Sequence, residues 1–151
     1  MKTEIRYIEL KSGFSDNGPA WIGRVEFSKS GQTVYFNDSA LKKLKVPGIG
    51  ANHFDIETGE EYWISGVKKD GTDRHWAGGG KVMIDEEIID EYLQLVDFSI
   101  IDNKYFEVIN ISKDLNKSRF DKLENETGAI PVPRYYVRWY WDNNRRKLIK
   151  E

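Results

Sequence analysis

Trp21-Ile22-Gly23-Arg24-Val25-Glu26-Phe27-Ser28, followed by Lys29-Ser30-Gly31-Gln32 and Thr33-Val34-Tyr35-Phe36-Asn37, is the stretch whose reading decides the fold. Trp21, Gly23, Val25 and Phe27 alternate with Ile22, Arg24, Glu26 and Ser28, the period of a strand with two unlike faces. Ser30-Gly31 is a two-residue turn signal. With that turn Lys29 pairs with Gln32, Phe27 faces Val34 and Val25 faces Phe36. The apolar faces then coincide, and a one-residue slip breaks the match. The spacing therefore predicts an antiparallel hairpin.

On the N-terminal side, Ile5-Arg6-Tyr7-Ile8-Glu9-Leu10 alternates and reads as a strand, and residues 12–19 read as a loop. On the C-terminal side, Asp38 or Ser39 is a candidate cap for a short helix over 40–44, ended by Val46-Pro47-Gly48. Residues 52–57 read as a short strand before a Thr58-Gly59 turn. A second hairpin is expected over 60–76 about Asp70-Gly71, pairing Lys68 with Asp73, Gly66 with His75 and Ser65 with Trp76. Gly78-Gly79-Gly80 breaks it, and residues 81–84 resume an extended run. Asp85 caps a helix over 86–96, whose Ile88, Ile89, Tyr92, Leu93 and Val96 recur at helical spacing. Residues 98–101 and 105–111 read as strands, 113–127 as a charged surface helix, and 134–141 as a last strand before a basic tail at 142–151. These elements predict one α+β domain over 1–151, mainly β: a small bent antiparallel sheet or barrel through residue 84, with one helix packed against it.

The chain has 151 residues, enough to bury a core without disulfide or metal. It has no cysteine, which excludes a disulfide framework, a thiolate zinc site and a cysteine nucleophile. No apolar run suits a signal peptide or a membrane span, so the expectation is a cytoplasmic chain with no membrane partner. Net charge is −2, yet residues 134–151 hold six Lys/Arg against Asp142 and Glu151, a net +4. A basic end on an acidic body is either a solvated tail or a contact for nucleic acid or an acidic partner.

The segment Trp21–Tyr92 resembles a family of small bacterial proteins of uncharacterised function. The resemblance rests on 22–25 and 27–36, on Asp55-Ile56-Glu57-Thr58-Gly59-Glu60-Glu61-Tyr62-Trp63-Ile64-Ser65-Gly66-Val67-Lys68-Lys69, and on Gly71, Asp73-Arg74-His75 and Lys81. It covers about half of the chain and implies no chemistry. Members sometimes carry the label of a deoxyxylulose-phosphate synthase. That reaction needs thiamine diphosphate held between domains of a much larger enzyme, and this sequence has no Gly-Asp-Gly pattern for the diphosphate and its metal.

Ala77-Gly78-Gly79-Gly80-Lys81 lacks the Ser or Thr and the following helix of a phosphate-binding loop, and Gly48-Ile49-Gly50 lacks the rest of a dinucleotide fingerprint. No cofactor and no metal are expected. His53-x-Asp55 and Asp73-x-His75 each place an imidazole and a carboxylate on one strand face; two such faces brought together form an acid–base or metal site, and exposed cross-strand pairs look the same. Trp63, Arg74 and Trp76 share the other face, where a guanidinium between two indoles is either scaffolding or a binding platform. Which face of the 60–76 hairpin is buried stays open at this level. Arg134, Tyr136, Arg138 and Tyr140 line one face of the last strand, a pattern shared by stacking surfaces for single-stranded nucleic acid and by protein interfaces. With no nucleophile–base pattern and many rigid aromatic and arginine positions, the leading expectation is a non-enzymatic protein-binding module with an unidentified protein partner. Single-stranded nucleic-acid binding and a small enzyme built on Asp73 and His75 are the alternatives.

Overall fold

The computed structural model describes residues 2–13, 18–48, 50–74, 80–111, 120, 139–142 and 147–150. Six strands run in chain order around a closed antiparallel barrel: β1 (Thr3–Leu10), β2 (Ala20–Phe27), β3 (Thr33–Phe36), β4 (Ser39–Gly48), β5 (Ala51–Asp55) and β6 (Glu61–Gly66). β1 closes it by pairing with β2 on one edge (Ile8 opposite Trp21) and with β6 on the other (Ile8 opposite Ile64). The β2–β3 hairpin has the expected register, with Phe27 opposite Val34.

Residues 40–44 are strand, not helix. Asn37 and Asp38 both have positive φ, 49° and 59°, and Phe36 pairs with Ser39 across them. That is the two-residue turn of a tight hairpin, and it claims the Asp38 signal read as a helix cap. The second hairpin also needs correction. The Asp70-Gly71 turn forms, with the Gly71 N–H bonded to the Lys68 carbonyl at 3.0 Å. No strand follows among residues 72–74, and β6 pairs instead with β1 and β5. Gly66 therefore faces Arg6, and Ser65 faces Tyr7. A side-chain bond replaces the predicted Lys68–Asp73 rung: the Lys68 N–H donates to Asp73 Oδ1 at 2.8 Å.

Beyond the barrel, β7 (Val82–Asp85) lies parallel to the first residues of β2, and β8 (Phe106–Ile109) lies parallel to β7. Parallel neighbours need a crossover. Here it is a 3-10 turn over Glu86–Ile88 running into α1 (Ile89–Leu95), ten helical residues that match the expected helix. Asp85 caps it, its Oδ1 accepting from the Glu87 N–H at 3.2 Å. Residues 98–101 are not strand, and β8 is shorter than 105–111. Of the expected helix over 113–127, only Phe120 is described; it is helical and buried. β9 (Trp139–Asp142) and β10 (Lys147–Lys150) pair as a two-stranded sheet of their own. The rest of the expected 134–141 strand and of the tail lies outside the described residues.

Two apolar clusters follow from the alternation. Ile8, Val25, Val34, Phe36, Leu41 and Ile64 fill the barrel. On the opposite face of β1 and β2, Tyr7 and Ile22 pack with Ile84, Ile88, Tyr92 and Phe106 of the β7–α1–β8 layer. The 67–74 loop is tied to that layer: the Asp97 N–H donates to the Lys69 carbonyl at 2.7 Å, and a Cβ on Gly71 (φ +73°) meets Phe98 Cε1 at 2.6 Å. Gly31 has φ +76° with nothing near its Cβ position. Gly31→Ala is expected to cost about 1–2 kcal/mol from backbone strain alone. Gly71→Ala should cost roughly 1–3 kcal/mol more, because the methyl also displaces Phe98. Equal losses in urea unfolding would refute the Phe98 contact.

Candidate functional site

A buried polar layer lies on the outer side of β1. The Tyr7 hydroxyl, fully buried, donates to Glu9, itself 1% exposed. Lys11 pairs with the second Glu9 oxygen at 2.7 Å, so phenol and ammonium together hold an enclosed carboxylate in one orientation. Burial first, then the Glu9 contact, pushes the Tyr7 hydroxyl far above its ordinary titration range. The 67–74 loop brings Asp73 and Arg74 to the same region. Asp73's negative charge bears on both Tyr7 and Tyr92, and Arg74's positive charge on Tyr7. Asp73 is itself raised, mainly by burial. Arg74 Nη2 donates to the Gly18 carbonyl at 2.8 Å, tying this loop to the β1–β2 connection.

His53 and Asp55 lie on the barrel side of β5 and are buried. His53 Nδ1 is 2.8 Å from Asn52 Oδ1. Asn52 is itself engaged: its Oδ1 accepts from the Ile64 N–H at 2.9 Å, and its amide donates to the Ile64 carbonyl at 2.8 Å. With its oxygen accepting, Nδ1 carries the proton. Burial, then the charges of Lys43 and Arg6, lowers His53 to about 4, so it is neutral at physiological pH. Asp55 Oδ1 accepts from the Glu57 N–H at 2.8 Å, which fixes the β5–β6 turn. Glu60, at the end of that turn, is raised to about 7 by burial and by Asp55, against a Thr58 bond that lowers it.

These positions answer the open face question. Ile64 is in the barrel core and Tyr62 packs against it, so the Tyr62–Ile64 face points inward; Trp63, opposite Glu9, points outward and is 37% exposed. Arg74 bears on Tyr7 from the 67–74 loop and not from a strand face shared with Trp63. His53 and Asp55 share a strand face as predicted, but the bonds seen here lead from His53 to Asn52 and from Asp55 to its own turn. His75 and Trp76 lie outside the described residues, as do Arg134, Tyr136 and Arg138; Tyr140 is in β9, opposite Ile149. No group of three or more His, Asp or Glu among the described residues is arranged to hold a metal ion, and no described helix is long and apolar enough to cross a membrane.

The exposed surface of interest is one the sequence reading missed. Of the five exposed large apolar side chains among the described residues, four fall between 95 and 108: Leu95 at 47%, Ile100 at 70%, Tyr105 at 64% and Val108 at 44%. In the same stretch, Tyr92, Phe98 and Phe106 form an aromatic cluster with centroids 5.9–6.1 Å apart. Residues 85–108 hold eight Asp/Glu against Lys104, a net −7, with Arg24 reaching over to pair with Glu91. The signal was available as that acidic excess; reading 98–101 and 105–111 as strands hid the exposure. No family model, curated protein or solved structure matches the chain.

Tyr7→Phe removes the donor that holds a buried carboxylate and is expected to cost about 1–3 kcal/mol. Tyr92→Phe, whose hydroxyl has no partner among the described residues, should cost less; the reverse order in urea unfolding would contradict the Glu9 assignment. Glu60 gives a pH test. The folded carboxyl keeps its proton up to about pH 7 and the unfolded one loses it near 4.5, so between these the folded state binds more protons and stability falls as pH rises. Glu60→Gln should therefore gain on the wild type from pH 4.5 to 7 and hold a constant lead above. His53 works in the opposite sense between about 4 and 6.5, which the wild-type-minus-variant difference cancels. A pH-independent difference would refute the burial of Glu60.

Proposed function

We propose that this protein is a non-enzymatic protein-binding module that docks its partner on the surface formed by the end of α1, the 97–105 loop and β8. The observation that carries this reading is the concentration of exposed apolar side chains at Leu95, Ile100, Tyr105 and Val108. Exposed apolar side chains set among charged ones are the usual make-up of an interface, with an apolar centre and a polar rim. The rim is acidic, which favours a basic partner and repels a phosphate backbone. The loop under the patch is anchored through Gly71, Phe98 and Asp97, so the surface is preorganised and little ordering entropy opposes docking. In the buried polar layer, Tyr7 and Lys11 hold Glu9, the Lys68 N–H donates to Asp73, and Arg74 donates to the Gly18 carbonyl.

The test is affinity capture from native lysate at low salt, wild type beside an Ile100→Asp/Tyr105→Ser variant of unchanged thermal stability. Each interface anchor of this kind is worth about 2 kcal/mol, roughly thirtyfold in affinity. A stoichiometric protein held by the wild type and lost by the variant is the expected result. Retention by the variant, or nucleic acid as the sole co-purifying species, would overturn it.

A further inference from the structure

We propose that the outer edge of β8 is a strand-addition site, which takes an extended segment of a partner protein with alternating apolar and basic residues. This rests on the reading of the same surface as a protein-docking site and adds how the partner is held.

The backbone sets the mode of binding. Among the described residues the large sheet ends at β8, which pairs there only with β7. The Val82 N–H bonds to the Tyr105 carbonyl at 2.9 Å and Val82 lies opposite Phe106, so positions 105, 107 and 109 turn their peptide groups to β7. Positions 106 and 108 turn theirs away. The Phe106 N–H is taken by the Asp102 carbonyl at 3.0 Å. No described residue takes the Phe106 carbonyl or either backbone group of Val108, and Val108 is 44% exposed. An extended peptide completes such an edge with main-chain bonds.

The side chains on the two faces of the edge then select the peptide. Phe106 and Val108 share one face, and Glu107 and Ile109 share the other. Phe106 is buried against Tyr92, whereas Val108 and Glu107 are exposed. An incoming residue beside Val108 gains by being apolar; its two neighbours, which point to the Glu107 face, gain by being lysine or arginine. The wider field has the same sign, since residues 85–108 carry a net −7. Like charge disfavours the same edge of a second copy, and it repels a phosphate backbone. A basic strand is the occupant that suits both the pleat and the field.

The experiment uses the full chain and a synthetic peptide of alternating lysine and valine, beside an alternating glutamate–valine control. Two further forms of the lysine peptide are N-methylated, one at its valines and one at its lysines. Each keeps every charge and side chain but loses the N–H donors along one of its two edges. The lysine peptide should bind, slow exchange of the Val108 amide at least about tenfold, and weaken about tenfold or more from low to high salt. One methylated form should lose at least about tenfold in affinity while the other stays within roughly threefold, because a strand joins a sheet through one edge only. No binding, equal binding of the two methylated forms, or equal binding of the glutamate peptide would overturn the proposal. So would a Val108 amide already protected before peptide is added, which means that the edge is covered. The two readings fail separately. A wild type that ignores the lysine peptide but captures a protein lost on Ile100→Asp/Tyr105→Ser overturns strand addition alone; retention of that protein by the variant overturns the docking surface itself.

Discussion

Everything in this fold depends on β1 being paired on both edges. Its register with β2 and with β6 is continuous, and Tyr7, Ile8, Glu9 and Leu10 are all buried, two from each face. A strand that is hydrogen-bonded on both sides and covered on both faces has no solvent-facing option for a polar group. Glu9 is the consequence: an ionisable side chain in the middle of that strand persists because Tyr7 and Lys11 satisfy it. Closing the barrel through β1 also removes the edges that six strands would otherwise present.

Closure in the barrel shifts the edge elsewhere. β2 is longer than its pairing with β3 requires, and its first residues recruit β7, which in turn recruits β8 through the α1 crossover. The outer face of β1 and β2 is thereby covered with Ile84, Ile88, Tyr92 and Phe106, while among the described residues the sheet ends at β8. The acidic helix and the exposed Tyr105 and Val108 sit at that margin. The geometry that encloses the polar layer is the same geometry that presents the docking surface: the 67–74 loop packs on Tyr92 and Phe98 from one side while Asp73 and Arg74 reach Tyr7 from the other.

The local elements were legible where local chemistry decides. The β2–β3 register followed from Ser30-Gly31 and two matching apolar faces, and α1 from Asp85 and a 3.6-residue repeat. Asn37-Asp38 misled because the short polar side chain that caps a helix also tolerates positive φ, and the choice between cap and turn is made by β3 seeking a partner. Asp70-Gly71 misled differently: its turn is real, but residues 72–74 form no strand, and β6 takes β1 and β5 as its partners. That competition is set by closure between residues far apart in sequence, which no window of local spacing contains. At the site, the outward side of Trp63 follows strand alternation, while Arg74 reaches the Tyr7 region from a loop rather than from the expected hairpin strand. Glu9 and Tyr7 were passed over because alternation alone does not reveal that both faces of β1 are covered. The parallel strands were hidden for the same reason.

Amide hydrogen exchange resolved to single residues tests the central claim most directly: that β1 locks the structure and β8 is its open margin. The amides of Tyr7 through Leu10 should be among the slowest to exchange, and Glu107 and Ile109, bonded to β7, should be slow. The Val108 amide between them should exchange orders of magnitude faster. A Val108 amide as protected as its two neighbours would mean the edge is already covered, and fast exchange in β1 would mean the barrel is not closed through it.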